Sequence, residues 1–142
     1  MKITFLVLCL LIAYSVAYVK VEHSNGADVL RELEAGNHNV YVLMFYHGDR
    51  KGSQIAQKNK DYEDALISGV LERYPSFRYA AVNADDDRYG DLIRACGVVP
   101  EELRNSPSVL MMENGNGAWI HGPQTMNKIS EFAPVYSQRA SQ

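Results

Sequence analysis

Residues 39 to 46, NVYVLMFY, run without a charge and are mostly β-branched or aromatic. Such a run predicts a strand that is apolar on both faces. A strand of that kind belongs in the middle of a sheet, with helices covering each side of it. The rest of the chain has to supply those helices and the neighbouring strands.

The flanking sequence does so. Val19 to Glu22 is a short β-favouring run, and Ala27 to Ala35 carries Val29, Leu30 and Leu33 at helical spacing, with Ser24 or Asn25 as a cap and Gly36 as the stop. From Ser53 to Tyr74 the apolar positions Ile55, Tyr62, Leu66, Val70 and Tyr74 predict the longest helix, broken by Pro75. Phe77 to Val82 reads as a second strong strand that ends in Asp85-Asp86-Asp87, a solvated turn. Tyr89 to Ala95 reads as a short helix with Leu92 and Ile93 inward, closed by Gly97. Ser108 to Met112 is a third core strand. Asn114-Gly115-Asn116-Gly117 is a hairpin signal that returns Ala118 to His121 as its partner. Thr125 can cap a last helix carrying Met126, Ile129 and Phe132, Pro134 disturbs it, and 137–142 is expected to fray. Alternating elements joined by right-handed crossovers, with a late hairpin, predict an α/β fold: a mixed central sheet with helices on both faces.

The first residues are of another kind. Lys2 precedes an uncharged apolar stretch that ends in Ser15-Val16-Ala17, the pattern of a secretory signal peptide cut after Ala17. The rival is a retained membrane anchor, since the stretch from Ile3 to Val19 just reaches the roughly 17 residues that span a bilayer. The expected organisation is therefore a leader at 1–17, one domain at 18–136 and a tail at 137–142. Cys9 lies in the leader and Cys96 in the body, so a processed chain has one cysteine and no internal disulfide. A net charge of -3 leaves no basic footprint for nucleic acid.

Three stretches, in order, resemble the thioredoxin superfamily over most of the body, from Val19 to about Tyr136. VYVLMFYHGDRKGSQIAQ is similar to that family's strand, active-site turn and helix; FRYAAVNADDDRYGDLIRACGV to its next strand, acidic turn and short helix; SPSVLMMENGNGAWIHG to its proline-led strand, hairpin and closing strand. The link VVPEELRN further resembles non-catalytic domains of protein disulfide isomerases. The family's chemistry needs a thiolate at the helix start and a second cysteine three positions on. The matching positions here are Arg50 and Ser53, and the buried acid of the preceding strand is matched by Met44. The resemblance thus implies a scaffold without dithiol chemistry, and a cis Ser106-Pro107 bond beside which extended polypeptide can lie.

Arg50, Lys51, Ser53, Ser106 and Pro107 are accordingly the expected binding residues, with no catalytic residue and no cofactor. Two cations at a helix start suit an anion or carboxylate, although Asp49 can offset them in a solvated turn. Cys96 reads as a buried, inert thiol. His47 and His121 are expected to approach one another, yet two imidazoles without a third ligand make a poor zinc site. Tyr46, Met112 and Trp119, if exposed together near Pro107, would form an adaptable protein-binding patch. The leading expectation is a non-enzymatic protein of the secretory pathway that binds a polypeptide or partner protein. The alternatives are a membrane-anchored accessory subunit of a larger complex and a single-cysteine oxidoreductase using Cys96.

Overall fold

The computed structural model describes residues 18–48, 53–121 and 125–141. The expected leader at 1–17 lies outside them. Five strands form one sheet: β1 (Val19–Lys20), β2 (Val40–Tyr46), β3 (Arg78–Asn83), β4 (Ser108–Glu113) and β5 (Asn116–Ile120). Their order is β1-β3-β2-β4-β5, with β1, β3 and β2 parallel and β4 and β5 antiparallel. The charge-free run is the central strand, as its composition requires, and every residue from Val40 to Phe45 is buried.

Alternation along β2 sends its side chains into two cores. Val40, Val42 and Met44 join Leu66, Val70, Leu71, Ile129, Ala133 and Tyr136 on one face, under helices α2 (Ser53–Leu66) and α4 (Thr125–Ala140). Leu43 and Phe45 join Val29, Leu92, Ile93 and Leu103 on the other, under α1 (Gly26–Leu33) and α3 (Gly90–Cys96). Asn25 caps α1 by accepting a bond from the Asp28 amide at 3.0 Å. Asn114 and Gly115, with φ of 46° and 80°, form the tight turn between β4 and β5 that their residue types predict.

Two helices depart from the expectation. The long helix does not run regularly to Tyr74: α2 gives way to a π turn at Ile67–Leu71, closed by the Glu72 amide on the Ile67 carbonyl at 2.9 Å. The wider turn lets Leu66, Val70 and Leu71 all reach the core, which a regular 3.6-residue repeat handles less well. The last helix contains Pro134 and continues through 137–140, where fraying is expected, to Ala140. Ile129, Ala133 and Tyr136 hold it on the sheet, while Phe132 is 38% exposed. Pro134 faces solvent in the helix interior, where its ring crowds the Ser130 carbonyl and leaves it without a helical donor. Pro134→Ala is expected to stabilise the fold by about 1–3 kcal/mol, read as a higher urea midpoint. Among the described residues, no helix is long and apolar enough to cross a membrane.

Candidate functional site

The parallel strands β2 and β3 end side by side at Tyr46 and Asn83, and β4 starts at the same end, with Ser108 opposite Phe45. In open α/β sheets, ligands gather beyond the carboxyl ends of the strands. Here α2 is tied to that end by the Asn59 side-chain amide, which donates to the His47 carbonyl at 2.8 Å. Gly48 passes so close to β3 that an added Cβ would clash with the side-chain amide of Asn83. Glycine is therefore needed there unless Asn83 moves, and Asn83 is engaged in accepting a bond from the Asp85 amide at 3.0 Å. Asp85 in turn stands 2.7 Å from His47 Nδ1, an off-axis contact that becomes an ion pair when the imidazole is protonated.

Arg50 and Lys51 lie outside the described residues. Ser53 opens α2, and its side chain is likewise outside them. Ser106 is half-buried and its hydroxyl donates to the Pro107 carbonyl at 3.1 Å, whereas Pro107 itself is buried. The Ser106-Pro107 bond is trans, against the implied cis bond. The link before β4, with its 3-10 turn at Pro100–Arg104, delivers the chain into register with the isomer that X-Pro bonds ordinarily favour. Beside Ser106 is a cavity of about 260 Å³ lined also by Glu102, Asn105, Ser108 and His121. His121 lines this cavity, and His47 faces Asp85. Among the described residues, no three metal-ligating side chains come together.

Several features had no signal in the sequence. Glu63 reaches back from α2 to accept a bond from the buried Tyr79 hydroxyl at 2.5 Å. Burial first, then the carboxylate, pushes that hydroxyl far above the ordinary phenol range. Glu63 also lines a cavity of about 150 Å³ with Met44, Tyr46, Asn59, Lys60 and Ala81. The expected Tyr46-Met112-Trp119 patch does not form. Tyr46 packs with the α2 and α4 core, and Met112 lines a cavity near the β4-β5 turn. Trp119 lies on β5 against Phe45, with ring centres 5.6 Å apart. Strand alternation puts Tyr46 on the opposite face of the sheet from Met112 and Trp119, which a list of apolar residues cannot show.

Cys96 is at the far end of the sheet. It lines a cavity of about 420 Å³ with Leu30, Leu33, Glu34, Gly36, Ala95, Met112, Asn114 and Gly115. It is half-buried rather than fully buried, and burial pushes its thiol up to about 11. Arg94, the nearest cation in sequence, pairs with Asp91. At neutral pH the folded chain should therefore be alkylated at Cys96 about 100-fold more slowly than the denatured chain. The rate should climb about tenfold per pH unit until the thiol ionises. Rapid labelling at neutral pH would show a thiolate that burial has not suppressed.

No family model matches the sequence, and no curated protein matches it. Solved structures do match the fold. Thioredoxin O2 of Arabidopsis thaliana, in its oxidised state, superposes with a TM-score of 0.58 at 16% identity, over 84% of this chain and 95% of that one. Fasciola hepatica thioredoxin gives 0.55 at 13% identity, over 83% and 98%. Thioredoxin from Trypanosoma brucei brucei gives 0.50 at 15% identity, over 88% of each chain. With the strand order, the helices on both faces and the gathering of strand ends beside α2, these likenesses establish that the chain is built on the thioredoxin fold.

Proposed function

We propose that this chain is a redox-inactive thioredoxin-like protein of the secretory pathway that holds a polypeptide or a partner protein without dithiol chemistry. Its cysteines are Cys9 and Cys96 alone, and positions 50 and 53 are arginine and serine. Cys96 lies at the opposite end of the sheet from the strand ends beside α2. The observation that carries the reading is the hollow at those strand ends, where half-buried Ser106 lies beside the side chains of Glu102, Asn105 and His121. These side chains, with the backbone next to Ser106, supply donors and acceptors for an extended segment. Arg50 and Lys51, next to the free N–H groups at the start of α2, add attraction for a carboxylate or other anion. The secretory location rests on the charge pattern of the leader.

The test is to titrate the isotope-labelled chain with a reduced, alkylated, permanently unfolded protein and follow amide shifts. Shifts should cluster on His47, Asp85, residues 49–53, Ser106 and His121, and weaken in Arg50→Ala/Lys51→Ala. Shifts confined to other surfaces would reject this binding face. Catalytic reduction of insulin disulfides by the purified chain would reject redox inactivity. A second reading, a membrane-anchored accessory subunit, is favoured by the unbroken uncharged stretch from Ile3 to Val19. A purified chain that begins at Tyr18 supports the first reading, and one that retains Lys2 supports the second.

A further inference from the structure

The hollow beside Ser106 is assembled from three elements. Ser108 opens β4 opposite Phe45 of β2, and one step beyond the Val109–Ile120 pair the antiparallel register sets His121 opposite Ser108 on its other side. Alternation puts Ser108 on the face of the sheet that carries Phe45 and Leu110. The 3-10 turn at Pro100–Arg104 contributes Glu102, and the link after it contributes Asn105 and Ser106.

Two groups of this hollow are left without protein partners. Ser108 is 3% exposed, and among the described residues its hydroxyl has no hydrogen-bond partner, whereas the Ser106 hydroxyl is engaged with the Pro107 carbonyl. A buried hydroxyl in that condition costs free energy that a bound polar group recovers. The Glu102 carboxylate pairs with no cation among the described residues, and no lysine or arginine lines the hollow.

We propose that this hollow takes the guanidinium of an arginine side chain from the polypeptide that the chain holds. That preference rests on the polypeptide binding proposed above and adds the side chain the site selects. A guanidinium brings five N–H donors and no acceptor. The hollow meets it with the carboxylate of Glu102, the side-chain carbonyl of Asn105 and the hydroxyl oxygens of Ser106 and Ser108. An acidic side chain would face Glu102 with like charge, and an apolar one would leave the Ser108 hydroxyl unpaired. Lysine has the charge, but as a compact ammonium with three donors in place of a planar fork of five. At about 260 Å³ the hollow falls below the range of about 300–1,000 Å³ that suits drug-sized ligands, and one long side chain matches it better.

The test measures the binding of labelled peptides to the whole chain by fluorescence anisotropy. A blocked, extended host peptide of alanine, serine and threonine carries arginine, lysine, citrulline or glutamate at its centre. The arginine peptide should bind at least about tenfold tighter than the citrulline peptide, which has nearly the same shape without the charge. Lysine should fall between them, and glutamate should bind most weakly. Glu102→Gln should bring the arginine peptide to the affinity of the citrulline peptide, and Ser108→Ala should weaken it by about threefold, with circular dichroism unchanged in both. Glu101→Gln removes an exposed carboxylate of the same turn that does not line the hollow, and it should leave the preference in place. It controls for the general attraction of a cation to a chain of net charge -3. Equal affinity for arginine and citrulline overturns the proposal and leaves the polypeptide reading standing. An arginine preference that survives Glu102→Gln also overturns it, because the cation is then held elsewhere. Failure of every peptide to bind overturns it as well. If the unfolded protein still shifts the amides of Ser106 and His121, the polypeptide reading survives that result, and if it does not, both fall.

Discussion

Phe45→Ala is expected to destabilise the domain by about 3–5 kcal/mol, whereas Phe132→Ala should cost less than about 1 kcal/mol. Phe45 is fully buried on the central strand, within the core that α1 and α3 cover, and its ring lies beside Trp119. Truncation there removes the apolar transfer term and leaves a cavity that a sheet hydrogen-bonded on both sides can close only in part. Phe132 is on the open side of α4 and leaves no such void. In a domain whose total stability is about 5–15 kcal/mol, the first change consumes a large share. With a urea slope of about 1–3 kcal/mol/M, its midpoint should fall by roughly 1–5 M. Equal shifts for the two phenylalanines would contradict the burial difference that separates them.

Those two residues also mark what the sequence could disclose. Val40 to Phe45 could be placed because a charge-free β-branched run is compatible with few positions besides a covered central strand. Asn114-Gly115 could be placed because positive φ at both turn positions favours those residue types. Phe132 could not, because its inward or outward position depends on how α4 is rotated against the sheet. Ile129, Ala133 and Tyr136 set that rotation through contacts with distant elements. The π turn at Ile67–Leu71 was hidden for the same reason, since core packing overrides a local helical repeat.

The candidate site was legible as a location and illegible as a network. The strand-bend-helix pattern around residues 40–57 and the proline before β4 point to one end of the sheet, and register places the end of β2 beside the start of β4. The pairing of His47 with Asp85 and of Glu63 with Tyr79 joins residues 38 and 16 positions apart, and no spacing rule predicts either contact. His38 with Glu113, a buried carboxylate on β4, is a further case, bonded at 3.1 Å across 75 positions. Side-chain pairs between elements arise only when the fold has brought their carriers together.

If this scaffold lacks only its thiols, then supplying them should supply turnover. Arg50→Cys/Ser53→Cys is expected to reduce insulin disulfides at least about tenfold faster than the parent chain in the same reductant. The first turn of α2 carries no acidic residue to oppose a thiolate. Arg50→Cys alone should accumulate the mixed disulfide and turn over only as fast as the external reductant releases it, since position 53 supplies no resolving thiol. The rate should still be modest, because Met44 stands where the resemblance places a proton-moving acid. Among the residues lining the cavity beside Met44, Glu63 is the carboxylate, and the Tyr79 hydroxyl holds it. Tyr79→Phe in the two-cysteine chain removes that restraint and should change the pH profile of exchange without removing either thiol. A two-cysteine chain that forms its internal disulfide and yet shows no turnover would mean that replacing sulfur is not the only change. The site would then have been reshaped for a different task, and the absence of cysteines at positions 50 and 53 would be a consequence of that task.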